Sequence, residues 1–254
     1  MSDQFQRLEQ MVGKAGLRRL QEAFVVVAGL GAVGSYAVEA LARSGVGRLR
    51  LIDYDEVRPS NINRQLYALW NTVGRKKCEL AVERVTAINP QCHVEALDLF
   101  VHVDTMPRVL APTSEGRYPD YVIDAIDSLN PKLELVTALL ASGLPFLSSM
   151  GAALRTDPTL VRIGPLREVT HCPLAAIVRK YLRRRDVSMD FDCIYSPEPV
   201  RHLRRDAVLP PEVSEENFYP QGRKRASLGS LPTLTGIFGL TAANHVLLKL
   251  LGER

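Results

Sequence analysis

Cysteine is scarce in this chain, and the few present do not pair. Cys78, Cys92, Cys172 and Cys193 form no CxxC among 254 residues, which argues against a disulfide framework and against a four-cysteine zinc site. Cys172 beside His171 makes two side chains, too few for zinc. An apolar leader is missing too, since Met1 to Gln10 is polar and charged, unlike a signal peptide. One stretch, Leu228 to Leu251, is apolar enough to raise a membrane span, but Pro232, Asn244 and His245 interrupt it, as do Gly229, Gly236 and Gly239. A buried core helix entered through a glycine-rich loop is the better reading, and the chain reads as cytoplasmic, without membrane contact. Internal repeats and low-complexity tracts are also absent.

What is present is an ordinary globular composition, 46% apolar and 24% charged, enough for one sizeable core and a single domain over 1–254. Strands are expected at Phe24 to Ala28, Arg48 to Asp53, His93 to Leu97, Tyr121 to Asp124, Pro145 to Ser149 and Thr159 to Ile163. Helices are expected at Val33 to Ser44, Lys76 to Ile88, Pro131 to Ser142 and Leu234 to Leu250, after a short N-terminal helix. This alternation predicts an α/β fold, a Rossmann-like doubly wound and mainly parallel sheet. The core is placed at 1–164. Order weakens after Gly164, and Pro197, Pro199, Pro210, Pro211 and Pro220 point to a long irregular loop within 165–228. A C-terminal loop and helix follow at 229–254.

The densest signal is the run from Val25 to Gln65. Gly29-Leu30-Gly31-Ala32-Val33-Gly34 stands between an apolar β-branched run and an alanine-rich helical pattern, the context that gives a GxGxxG its meaning. Gly29 permits the tight turn, Gly31 lets phosphate approach the backbone, and Gly34 lets the helix pack close. Asp53 ends the next apolar run at the interval where a carboxylate holds a ribose hydroxyl; capping the strand end is its plainer alternative. Asp55 follows, then Asn61-Ile62-Asn63-Arg64-Gln65 and Gly74-Arg75-Lys76-Lys77. A nicotinamide site needs no such cations, whereas an enzyme handling a triphosphate does. Asp124 and Asp127 lie at a strand's carboxyl end, where ligands of open α/β sheets collect, and two carboxylates beside a triphosphate point to Mg²⁺.

Net charge is only +4, yet basic residues cluster at Arg179-Lys180 with Arg183-Arg184-Arg185, at Arg201 with Arg204-Arg205, and at Arg223-Lys224-Arg225. Such clusters are usually solvated surface, with nucleic-acid contact as the other reading.

GxGxxG, the Asp53-Tyr54-Asp55 pair, Asn61 to Gln65, the following lysine and Asp124-Ala125-Ile126-Asp127 together resemble the adenylation domain of the ubiquitin-activating-enzyme superfamily. Its bacterial members include sulfur-carrier adenylyltransferases. The likeness extends to Gly229-Ser230-Leu231-Pro232 and Gly236-Ile237-Phe238-Gly239. Phe5-Gln6-Arg7 ahead of Gly13, the wording from Ser60 to Gln65, and Asp192-Cys193-Ile194-Tyr195-Ser196 bring it nearest the tRNA threonylcarbamoyladenosine dehydratases. The resemblance implies ATP and Mg²⁺, with Arg64 along the triphosphate, Asn61 offering an amide to it and Gln65 fixing the loop. Asp55 orients the loop or touches ligand. The family lysine falls on Lys77, or on Lys76 if the register slips by one. Asp127 takes the metal, leaving Asp124 to line the base or hold a loop. Arg64, Lys77 and Asp127 are thus the catalytic set.

Arg7 matches an arginine that crosses to the partner's ATP in homodimeric relatives, which implies a homodimer. The 165–228 region matches the crossover loop over the adenylate site. The implied substrate is modified adenosine 37 of tRNA, whose threonyl carboxylate is adenylated and then displaced in ring closure. A sulfur-relay partner protein is left open. The alternative within the superfamily is adenylation of a ubiquitin-like sulfur carrier's C-terminal glycine; its members often carry two zinc-binding CxxC pairs, which this chain lacks. A nucleotide-sensing module and an NAD-dependent dehydrogenase leave the cationic motifs unexplained. Some dehydratases carry a cysteine in the later loop, where this chain has Ala226-Ser227-Leu228. That leaves no thiol there for covalent catalysis, and Cys193 reads as buried packing.

Overall fold

The structure, a computed structural model, describes residues 3–200 and 228–252. Helix α1 (Gln6–Glu22) is kinked at Gly13 and leads into strand β1 (Phe24–Ala28). Helix α2 (Gly34–Arg43), strand β2 (Arg48–Ile52), helix α3 (Lys77–Ile88) and strand β3 (His93–Leu97) follow. A short helix α4 (Met106–Val109) precedes strand β4 (Tyr121–Asp124), helix α5 (Leu129–Ser142) and strand β5 (Phe146–Ser149). Then come strand β6 (Arg162–Pro165), helix α6 (Pro173–Arg184), strand β7 (Asp192–Tyr195) and helix α7 (Pro232–Leu251).

The seven strands form one sheet in the order β3-β2-β1-β4-β5-β7-β6. All pairs are parallel except β6 with β7. The sheet therefore has the doubly wound form expected of the alternating pattern. β1 is buried along its whole length, as a central parallel strand covered on both faces must be. Each of Val25, Val26 and Val27 is fully enclosed, worth about 1.5–3 kcal/mol apiece relative to exposure. One core lies under α2, α3 and α7 and the other under α5 and α6. α2 packs against α7, and α5 against α6.

Chain reversal between β1 and β4 sets the site. β2 and β3 lie on one side of β1, β4 and β5 on the other, so the strand ends after Ala28 and Asp124 border the crevice where ligands of such sheets bind.

Two expectations need correction. The segment from Thr159 is not a strand at first. Asp157 accepts from the Thr159 N–H at 2.9 Å and from its hydroxyl at 2.6 Å, and this turn shapes a 3-10 helix over Pro158–Leu160. The strand begins later, at Arg162. The 165–200 portion, expected to be irregular, contains α6 and β7. Proline in the first turn of α6 is well tolerated, and Ala175, Val178 and Leu182 form its buried stripe at helical spacing beneath an arginine-rich polar face. The remainder of the proline-rich stretch, with the basic clusters at 201–205 and 223–225, lies outside the described residues, as do Ala226 and Ser227. α7 is the one helix among the described residues long and apolar enough to cross a membrane. Leu234, Phe238, Ala242, Ala243 and Val246 are all buried, as anticipated for a core helix.

Candidate active site

The glycine loop leaves β1 through a backbone that only glycine adopts easily: Gly29 has φ +91°, and a Cβ there would fall 2.8 Å from the Ala125 carbonyl oxygen. Its N–H donates to Ile52 O at 2.8 Å, and Ala125 N donates to Ala28 O at 2.8 Å. The ends of β1, β2 and β4 are thereby laced together. A Cβ on Gly31 would meet nothing closer than Gln65 Nε2 at 3.7 Å, so the loop's outer side is open to a ligand.

Asp53 lies just past β2 and accepts from Leu30 N at 2.7 Å and from Asp55 N at 2.9 Å. It ties the glycine loop to the segment that follows. Burial pushes its carboxyl above the usual range; Lys77 opposes this and Asp55 reinforces it.

Lys77 opens α3 and is 5% exposed. Its Nζ lies 2.9 Å from Asp55 Oδ2. Lys76 instead turns to Glu56 at 3.4 Å and Asp98 at 3.5 Å. The structure therefore brings Lys77, rather than Lys76, together with Asp53 and Asp55.

The 61–65 loop builds on a 3-10 turn at Pro59–Asn61. Asn61 is buried, and its Oδ1 accepts from Arg58 N at 3.1 Å. Arg64 Nη1 donates to Ser60 O and to Asn63 Oδ1, both at 2.8 Å. Arg64 makes no ion pair with Asp55 or Glu56, the plainer role open to it, and meets no carboxylate among the described residues. Gln65 lies against Gly31, with its Oε1 buried and without a hydrogen-bond partner among the described residues. Ser35 of α2 accepts from Leu66 N at 3.2 Å, so the loop is pinned to the helix that the glycine loop starts.

After β4 the two aspartates part. Asp124 is fully buried: Lys132 Nζ lies 2.5 Å from its Oδ2, Ser148 Oγ donates to it at 2.6 Å, and Ile126 N donates to Oδ1 at 3.0 Å. It holds the loop and is sealed from ligand, which settles the choice left open for it. Asp127, three residues on, is exposed at the crevice, with Ser128 Oγ 3.5 Å from its Oδ1. Lys132 was not foreseen; a lysine within an apolar helical run is the only sequence signal that marked it.

Arg7 is not in its own chain's site. Phe5, Gln6 and Glu9 line a cavity of about 530 Å³ with Gly47, Asn89 and His93, at the amino ends of β2 and β3. That is the end of the sheet opposite the glycine loop, away from the crevice of its own chain. Cys193 is buried in β7, and burial pushes its thiol well above the usual range, which suits packing and not nucleophilic work.

The basic helix α6 divides likewise. Arg179 Nη1 donates to Leu166 O at 3.1 Å and Val169 O at 2.7 Å, and Arg185 pairs with Glu134 at 2.9 Å. Lys180, Arg183 and Arg184 remain as the exposed cations, with Arg184 over the Tyr181 ring.

The arrangement is that of a nucleotide pocket with an open phosphate side. The tRNA threonylcarbamoyladenosine dehydratase of Bacillus subtilis (strain 168) is 39% identical over 253 residues, spanning 100% of this chain and 96% of the relative. The crystal structure of the E. coli tRNA N6-threonylcarbamoyladenosine dehydratase in complex with AMP matches at TM-score 0.84 and 32% identity, over 98% of this chain and 94% of that one. Its complex with ATP matches at 0.81 and 32%, over 98% and 94%. The profile of the ThiF family matches residues 2–254, and with that extent the chain belongs to the ThiF family.

Proposed function

We propose that this chain is an ATP-dependent tRNA threonylcarbamoyladenosine dehydratase. The observation that carries the reading is Arg64, which meets no carboxylate among the described residues and follows Asn63 in the loop whose next residue, Gln65, lies against Gly31 of the open glycine loop. The full-length likeness to dehydratases, and the absence of any CxxC pair, favour this substrate over a sulfur-carrier protein.

In this reading Asp53 holds the ATP ribose, while the amides after Gly29 and the N-terminus of α2 take phosphate oxygens. Arg64 and Lys77 meet the charge that grows on pyrophosphate as it leaves. An oxygen of the threonyl carboxylate forms a bond to the α-phosphorus as the bond to pyrophosphate breaks. The carbamoyl group of the same nucleoside then attacks the acyl carbon, AMP departs and a ring closes. No enzyme thiol is required, because the nucleophile is part of the substrate. Asp127 is the metal ligand of this reading. Among the described residues no three His, Cys, Asp or Glu side chains gather as a metal cage, which suits Mg²⁺, an ion content with one or two carboxylates and phosphate oxygens. When bound it neutralises phosphate charge.

The protein acts as a cytoplasmic homodimer in which Arg7 of each subunit completes the other's site, and Lys180, Arg183 and Arg184 contact tRNA phosphates. The test is AMP formation from ATP and Mg²⁺, with tRNA carrying threonylcarbamoyladenosine or lacking it, followed by mass analysis of the nucleosides. AMP release coupled to loss of one water from the modified base is expected. AMP transfer to a ubiquitin-like sulfur carrier, with the modified tRNA left intact, would overturn the reading. Arg64→Ala and Asp127→Ala should each abolish AMP release in a folded protein.

A further inference from the structure

The groups assigned so far serve ATP, its metal or tRNA phosphates, and none holds the carboxylate that must attack. Among the described residues a buried cation is left short of acceptors. Arg155, in the loop after β5, is 2% exposed. Its Nη2 donates to His171 O at 2.7 Å, whereas Nε and Nη1 are buried with no acceptor among the described residues. A buried charge is ordinarily paired. A guanidinium left short of acceptors is a receptor for an anion, and Nη1 with the second N–H of Nη2 forms the two-donor edge that matches a carboxylate.

Three further observations mark the same place. First, the loop is wired to the 61–65 motif: Leu154 N donates to Gly229 O at 3.0 Å, and Asn63 Nδ2 donates to the adjacent Ser230 O at 3.2 Å. Asn63 in turn accepts from Arg64. Arg155 is thus joined to the phosphate-side arginine through one short segment. Second, strain surrounds it. Non-glycine residues with left-handed φ number three among the described residues, and two adjoin this guanidinium: Leu154 at φ 60° precedes it, and His171 at φ 51° supplies its one acceptor. Such conformations persist only where neighbours enforce them. Third, the enforcement is visible. The buried Glu198, just past β7, accepts from Thr156 N at 2.8 Å, Thr156 Oγ1 at 2.8 Å and Asp157 N at 2.9 Å. The protein fixes the loop with Glu198 yet turns that carboxylate to Thr156 and Asp157, leaving Arg155 short of acceptors among the described residues.

We infer that Arg155 receives the carboxylate of the acyl substrate and presents it to the α-phosphate of ATP, an assignment that rests on the adenylation reading above. One carboxylate oxygen stays on the guanidinium edge. The other forms the bond to the α-phosphorus, and the electron pair of the breaking bond leaves with pyrophosphate. Because the guanidinium is enclosed, the anion gains entry as the strained Leu154 and His171 backbones relax.

The probe is N-carbamoyl-L-threonine, a small carboxylate carrying the reacting groups. The readouts are its shift of the unfolding midpoint and the ATP-dependent AMP release with tRNA carrying threonylcarbamoyladenosine. The probe is expected to raise the midpoint of the wild type but not of Arg155→Met or Arg155→Gln. Both variants should bind ATP as the wild type does and lose on the order of a hundredfold in kcat/KM for the modified tRNA, the size of a charged hydrogen bond. Without probe, Arg155→Met should unfold no earlier than the wild type, because an uncompensated buried charge has been removed; a merely structural arginine would give an earlier midpoint. That earlier midpoint, a probe shift surviving in either variant, or no shift in the wild type would each overturn the assignment. A wild type that leaves modified tRNA intact, yet shows a probe shift dependent on Arg155, would remove the dehydratase reading and keep the carboxylate site.

Discussion

Gly34 lies so close to the Gly29 carbonyl that a Cβ at position 34 would sit 1.8 Å from the oxygen. The first helix after the glycine loop can begin where it does only because position 34 carries no side chain. Gly34→Ala should force the turn apart, cost about 3 kcal/mol or more as an overpacked contact with rigid backbone, and remove ATP binding. Urea unfolding and nucleotide titration check this; a stable variant with normal ATP affinity would contradict the geometry.

Lys132 and Asp124 form an ion pair with both side chains fully enclosed. Lys132→Met leaves Asp124 buried without its counter-charge and should cost roughly 3–5 kcal/mol. Adding Asp124→Asn to that variant should recover much of the loss. A double-mutant cycle read by denaturant midpoint tests the coupling.

Asp53 titrates above its ordinary value of 3.8 because of burial, with Lys77 opposing. The folded state therefore holds its proton more firmly than the unfolded chain. Its contribution is fully present below the unfolded value and is lost as pH rises through the raised folded value. Relative to Asp53→Asn, the wild type should lose stability across that window and then level off. Unfolding midpoints in a pH series measure it; parallel profiles for the two proteins would refute the shift.

Arg183 and Arg184 lie exposed in the last turn of α6, where positive charge also favours the helix dipole. Replacing both with alanine should weaken tRNA binding, reduce its salt dependence by about one unit of slope per lost phosphate contact, and leave ATP affinity unchanged. Unaltered tRNA affinity would assign these residues to the helix alone.

Much of this was written locally. The β-branched run before Gly29, the interval to Asp53 and the alternating elements up to Ser149 are short-range patterns, and each reappears in the structure within about two residues. The turn at Asp157 was also local, yet the apolar residues after it concealed its effect. α6 was missed although Ala175, Val178 and Leu182 repeat at helical spacing, because its exposed face is arginine-rich and prolines follow it in the chain.

By itself the sequence determined the doubly wound sheet, the glycine loop and the residues set around it, because backbone conformation and hydrophobic period act between near neighbours. Tertiary structure alone decided how each of these charges is placed. Asp124 is consumed by Lys132 while Asp127 is exposed, Arg179 is spent on carbonyls, and Arg155 is buried and short of acceptors. Those outcomes depend on residues distant in the chain meeting across the crevice, and burial there makes a charge without partners costly enough to mark its purpose.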